Sequence, residues 1–228
     1  MPSLSPTENL LSDLSERQQE AVTHAEGPLL IVAGPGSGKT RVMAHRVAYL
    51  VIENGVPPWK ILAVTFTNKA ARELRDRCER LVGSGSSELQ VRTFHGFCSR
   101  VLRSDGEYLG LKPEFTIYDG DDQSRLVRRI LDDLDIEPKQ FPPRVLLNVV
   151  SDAKNRMWTP TQFKERAETY REEVAARVYE AYEAALQRAN AVDFDDLLVK
   201  TFVLMADQPE ILEKYQQRFE HLLVDEFQ

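Results

Sequence analysis

The chain has 228 residues, 42% of them apolar, enough for one large domain or two small ones around a genuine core. A formal charge of -7 excludes a surface that draws polyanions through its average field, so any nucleic-acid binding has to be local. No apolar run approaches the roughly 20 residues that cross a bilayer, and the start Met1-Pro2-Ser3-Leu4-Ser5 lacks a secretory layout, so a soluble cytoplasmic protein is expected.

Residues 1–13 read as a polar lead-in. Ser15, with Gln18 three positions on, marks the start of a helix from about Glu16 to His24. Pro28-Leu29-Leu30-Ile31-Val32-Ala33 is a short continuous apolar run bounded by glycine, the pattern of a parallel strand buried on both faces. A Gly-rich loop follows, then apolar residues at helical spacing from Thr40 to Asn54, stopped by Gly55-Val56-Pro57-Pro58. Ile61 to Phe66 repeats the strand pattern and Asn68 to Leu81 the helical one. This βαβα alternation predicts a doubly wound parallel sheet.

Gly83 to Ser87 reads as a flexible surface loop and Leu89 to Phe94 as a further strand. From about residue 104 to about 207 the chain becomes charged and helical in period, broken by Pro138, Pro142-Pro143 and Pro160, with one short strand at Phe115-Thr116-Ile117-Tyr118. That stretch is expected to be a helical insertion. His221 to Asp225 then predicts one more buried strand with carboxylates at its C-terminal end. Cys78 and Cys98 fall in expected helices and suit two reduced, partly buried thiols. The histidines His24, His45, His95 and His221 have no metal-ligand spacing.

Ala33-Gly34-Pro35-Gly36-Ser37-Gly38-Lys39-Thr40 fits the relaxed form of the phosphate-binding loop motif, with Ala33 where the strict form has glycine. Glycines permit the turns that aim successive N–H groups inward, and the following helix adds its N-terminal dipole. Pro35 has no N–H to give, so the cradle falls on Gly36, Ser37, Gly38, Lys39 and Thr40. Lys39 supplies charge for the β- and γ-phosphates of a nucleoside triphosphate, and the Thr40 hydroxyl suits Mg2+. Asp225-Glu226 offers the acid that holds the metal and the group that orients an attacking water.

These motifs, in this order, resemble the N-terminal part of superfamily 1 DNA helicases of the UvrD, PcrA and Rep type. Leu14 to Val22 looks like the adenine-reading motif, with Gln18 its glutamine, and Arg41 would lie beside the base and sugar. Thr65-Phe66-Thr67-Asn68-Lys69-Ala70-Ala71 and Thr93-Phe94-His95-Gly96-Phe97-Cys98 look like two DNA-side motifs, and Asp193-Phe194-Asp195-Asp196-Leu197 like a third. Asp225-Glu226-Phe227-Gln228 is similar to the motif in which Asp225 would hold magnesium, Glu226 act as general base and Gln228 couple nucleotide to DNA.

The resemblance implies a RecA-like P-loop motor domain over residues 1–104, a helical insertion over 105–207 and a return to the motor over 208–228. It implies a 3′-to-5′ DNA helicase or translocase of repair or replication, driven by ATP and Mg2+, acting on single-stranded DNA and single-strand/duplex junctions. DNA-side candidates are Thr65, Phe66, Thr67, Asn68, Thr93, His95 and Phe194. Phe66 and Phe194 fit stacking platforms or core positions alike, and Asp195-Asp196 is expected to repel phosphate. The Arg72, Arg75 and Arg77 series alternates with acids on one expected helix and reads as a solvated face. Asp119-Gly120-Asp121-Asp122 reads as a helix cap.

The family's second motor domain and its arginines have no counterpart in the 228 residues. Such arginines are worth about 10³–10⁵ in rate in related sites, so a monomeric piece of a longer motor with little or no turnover is expected. A free-standing nucleotide- or DNA-binding module, and the start of a RecB-type helicase–nuclease, are the alternatives.

Overall fold

Capping residues and apolar periodicity set the order of elements in a computed structural model that describes residues 6–25 and 27–227. In chain order they are α1 (Pro6–Leu11), α2 (Glu16–Thr23), α3 (Lys39–Ile52), β1 (Ile61–Thr65), α4 (Asn68–Val82), β2 (Gln90–Thr93) and α5 (Phe94–Asp105). There follow β3 (Thr116–Ile117), α6 (Gly120–Asp133), α7 (Pro143–Asn155), α8 (Pro160–Lys164) and α9 (Tyr170–Arg188). The chain continues through β4 (Ala191–Val192), α10 (Phe194–Asp207), α11 (Pro209–Arg218) and β5 (His221–Val224). They form two compact units, Met1–Phe97 with Glu213–Gln228, and Cys98–Leu212.

The first unit carries a parallel sheet in the order β2-β1-β5. Every residue of β1 is buried, as its unbroken Ile-Leu-Ala-Val-Thr run requires of a central parallel strand. Ile61 and Ala63 pack on Met43, Val47 and Leu50 of α3 and on Leu74 and Cys78 of α4. Thr67 caps α4 by accepting from the Ala70 N–H at 3.1 Å, and Gly83, at φ 74°, ends it. Residues 83–88, expected as a flexible loop, form a 3₁₀ turn in which the Ser86 hydroxyl donates to the Gly83 carbonyl at 2.8 Å.

One expected strand does not form. Residues 28–33 make no ladder, and Leu30 and Val32 are 69% and 89% exposed. The physical reason is pairing. β1 has β2 on one side and β5 on the other, and among the described residues the outer edge of β5 is not paired with 28–33. An apolar run without a neighbour cannot satisfy its backbone as a strand.

The second unit is mainly helical, with the two-stranded parallel pair β3-β4. Its core joins Leu126, Val127, Ile130 and Leu131 of α6, Leu146 and Val150 of α7, and Val174, Val178, Tyr182 and Leu186 of α9. Asp119 caps α6 by accepting from the N–H groups of Asp121 and Asp122, both at 2.9 Å, the capping role its sequence suggests. Cys78 and Cys98 are free, buried thiols. Burial pushes the Cys78 thiol up to about 12.

Candidate functional site

The Gly-rich loop turns through Gly36 (φ 75°) and Gly38 (φ 89°), left-handed conformations that glycine adopts without strain. Gly38 is the N-cap of α3 and makes no side-chain cap, whereas α2, α4, α6, α8, α9 and α10 all begin on one. The first-turn N–H groups of α3, those of Lys39 and Thr40 among them, therefore have no side-chain oxygen from their cap, which suits an anion. Lys39 Nζ donates to the carbonyls of Ala33 and Gly34 at 3.2 and 3.3 Å, and Ser37 Oγ donates to Gly34 at 2.7 Å. Thr40 is half-buried in the first turn.

Leu14, Val22 and Val42 pack together and hold α2 against α3. This brings Gln18 to the loop, where its Nε2 donates to the Ser37 carbonyl at 3.0 Å. Gln18 also completes the capping box with Ser15, so its side chain is held from both ends. A Cβ on Gly38 would lie 3.2 Å from Gln18 Nε2, which makes glycine the fitting residue by space as well as by φ. Arg41 turns to the segment before α2, donating to the Asp13 carbonyl at 2.6 Å.

Asp225 continues the β5 ladder, its N–H donating to the Val64 carbonyl at 2.9 Å. Burial, with the neighbouring Glu226, raises its carboxyl above the ordinary range, while Lys39 acts in the opposite direction. The loop lysine and the strand-end acid thus lie within electrostatic reach. Glu226 is exposed, adopts φ 56° and donates its N–H to Asp225 Oδ1 at 3.1 Å. Positive φ is uncommon for a residue other than glycine, and Glu226 shares it with Asp135, Met157 and Asn190 among the described residues. Gln228 lies outside the described residues.

The same sheet end holds most of the nucleic-acid candidates. Thr65 stands opposite Thr93 in the β1–β2 register, and Val64 opposite Val224. Phe66 (71% exposed), Thr67 and Asn68 follow β1 at the surface. Thr65 is fully buried and donates its hydroxyl to the Thr67 carbonyl at 3.2 Å, so it shapes the turn under them. Thr93 Oγ1 accepts from the Gly96 N–H at 3.1 Å, and His95 is half-buried beside it. The carboxyl ends of parallel strands are where open α/β sheets take their ligands.

Phe194 belongs to the second unit, half-exposed as the first residue of α10. Its flanking acids correct the expected repulsion: Asp196 is turned inward and buried, paired with Lys154 Nζ at 2.9 Å, and only Asp195 of the pair keeps partial exposure. Sequence reasoning passed over Lys154. The signal was there in the Asp193…Asp196 spacing of a capping box, although nothing in the pattern names the lysine that neutralises it. On α4, Arg77 pairs with Glu73 at 2.6 Å as a solvated, self-neutralising face would, whereas Arg75 turns to donate to the Val91 carbonyl of β2 at 2.5 Å.

Residues 14–228 match the family model of the UvrD/REP helicase N-terminal domain. The chain is 47% identical over 222 residues to an ATP-dependent DNA helicase PcrA of Leuconostoc citreum, covering 97% of this chain and 30% of that protein. It is 46% identical over 219 residues to the ATP-dependent DNA helicase PcrA of Bacillus subtilis (strain 168), covering 96% and 30%. A PcrA helicase of Staphylococcus aureus is 44% identical over the same extent. The chain thus spans about 30% of the length of the curated relatives it matches.

Proposed function

The chain belongs to the UvrD/REP helicase N-terminal domain family, and from that premise we propose that it is the ATP- and single-stranded-DNA-binding part of an ATP-dependent 3′-to-5′ DNA helicase or translocase of repair or replication. The observation that carries this reading is the side-chain-free N-terminus of α3, with Lys39 in electrostatic reach of Asp225 at the end of β5. In this reading residues 1–104 and 208–228 are a RecA-like P-loop motor domain and residues 105–207 its helical insertion.

The N–H groups of Gly36 to Thr40 hold the ATP phosphates, with Lys39 as their counter-charge. Gln18 reads the adenine edge, a placement supported by its bond to Ser37 and the packing of α2 on α3, and Arg41 sits beside base and sugar. Thr40 and Asp225 would hold Mg2+, which when bound draws charge from the phosphate oxygens. Glu226 is the general base for the attacking water, and Gln228 couples nucleotide to DNA. Phe66, Thr67, Asn68, Thr93 and His95 line the DNA side of the sheet end, with Thr65 supporting their turn and Phe194 stacking on bases from the second unit.

In family members the opposing arginines come from a second motor domain, and the relatives are more than three times the length of this chain. We therefore read the 228 residues as binding nucleotide and single-stranded DNA, including its junctions with duplex, with little turnover. The test is ATP hydrolysis with Mg2+, with and without a single-stranded oligonucleotide, against a Lys39→Ala blank, together with binding of a fluorescent ATP analogue. Binding lost in the blank, with turnover at its level, is expected. Robust DNA-stimulated turnover would overturn the half-motor reading, and equal analogue binding by Lys39→Ala would overturn the nucleotide site.

A further inference from the structure

The second unit contains a buried charge cluster that the phosphate site does not use. Lys154, on α7 and only 2% exposed, places Nζ 2.6 Å from Glu183, 2.7 Å from Asp193 and 2.9 Å from Asp196. Tyr182, fully buried on α9, donates its hydroxyl to Asp193 Oδ2 at 3.0 Å. Lys200 approaches Glu183 at 3.5 Å and Asp196 at 3.6 Å. Asp193 and Asp196 are at the same time the reciprocal capping box of α10. The Asp196 N–H donates to Asp193 Oδ1 at 2.8 Å, and the Asp193 N–H to Asp196 Oδ2 at 3.3 Å.

A capping box needs no lysine. The box at Thr169 starts α9 at the surface with its Glu172 carboxylate accepting from the Thr169 hydroxyl and from the N–H groups of Glu168 and Thr169. Burying an ammonium among three carboxylates is also an inefficient route to stability, since apolar packing of the same volume often does better. What such a cluster supplies is a fixed geometry. Between the two clamped acids lie Phe194 and Asp195, and Phe194 is 49% exposed.

We propose that Lys154 is a positioning residue for nucleic acid: by clamping both capping acids from α7 it fixes the first turn of α10 and so presents the Phe194 ring for stacking. The proposal rests on the reading of Phe194 as a base-stacking residue. Two ammonium groups also offset most of the negative charge of Glu183, Asp193 and Asp196, which would otherwise oppose an approaching phosphate chain. A ring pre-set by its neighbours loses less freedom on binding than one on a fraying turn.

The test is a double-mutant cycle on the 228-residue chain, read by fluorescence anisotropy of a labelled oligothymidine and, in parallel, by binding of a fluorescent ATP analogue. Phe194→Ala is expected to weaken oligothymidine binding about ten-fold, the scale of one lost stacking contact. Lys154→Met should weaken it to a similar degree with analogue binding unchanged, and should add nothing in the Phe194→Ala background. An equal further loss in that background, or no loss at all, overturns the positioning role. No effect of Phe194→Ala overturns the stacking reading and the proposal with it, a result distinguishable from the former.

A second measurement covers a Lys154→Met chain that does not fold. In the shape-conserving Asp196→Asn chain, backbone amides of residues 194–197 should exchange at least about ten-fold faster than in the wild type, with β1 and α3 unchanged. Unchanged exchange at 194–197 would overturn the proposal.

Discussion

Replacing Asp196 with asparagine should change how stability varies with pH. In the buried cluster two ammonium groups, Lys154 and Lys200, face three carboxylates, Glu183, Asp193 and Asp196, with the Tyr182 hydroxyl donating to Asp193. Burial pushes the Asp196 carboxyl from 3.8 up to about 6, Asp193 and Glu183 push the same way, and Lys154 and Lys200 oppose them. The folded state therefore holds a proton that the unfolded state releases between about pH 4 and pH 6. Stability falls as pH rises wherever the folded state binds more protons. Two units at about 1.4 kcal/mol each put the loss on the order of 3 kcal/mol across that window. Asparagine cannot release the proton, so the variant should gain on the wild type by about that amount between pH 4 and pH 7. Urea unfolding at half-unit pH steps reads the difference directly. Parallel curves, or a variant that loses ground as pH rises, would refute the reasoning and mean that Lys154 holds Asp196 ionised throughout.

Gly38→Ala should lower affinity for a fluorescent ATP analogue and cost about 1–2 kcal/mol in urea unfolding, because an alanine must hold φ 89° and its Cβ presses on Gln18 Nε2 at 3.2 Å; an unchanged variant would contradict the loop geometry. Asp119→Ala removes the acceptor for two α6 N–H groups and should lower the urea midpoint in the same measurement, and an unchanged midpoint would contradict the capping role. The Cys78 thiol, buried and pushed up to about 12, should resist iodoacetamide at pH 8 in the folded chain and react on unfolding in urea. Rapid alkylation of folded protein would show that α4 opens readily.

Much of the Gly-rich loop and its surroundings was legible because its pattern is local. A glycine that must adopt φ 89° and a lysine beside it stand next to each other in the sequence, and Ser15 announces α2 through a spacing of three. Gln18 reaches Ser37 across 19 positions only because Leu14, Val22 and Val42 pack, a contact that periodicity suggests but does not pair. The cluster around Lys154 was not legible. Its members come from α7, α9 and the start of α10, with Lys154 39 and 42 positions from the Asp193 and Asp196 it bonds, and in sequence each of these three reads as a surface charge. Asp196 was therefore expected to face solvent and repel phosphate, and it is buried instead.

The strands separate along the same line. Ile61 to Thr65 and residues 28–33 are equally apolar, and pattern alone assigns both to buried parallel strands. Only the first has neighbours, with Ala63 opposite Val91 on one side and Leu223 on the other. A strand is a property of a pair, since its N–H and C=O groups are satisfied by another segment whose identity a one-dimensional pattern does not carry. Helices satisfy their own backbone, which explains why α3 and α4 end within two residues of expectation while residues 28–33 lie outside the ladder. The run before the Gly-rich loop is thus apolar as its composition says but unpaired, and the gap lies in the step from composition to hydrogen bonding.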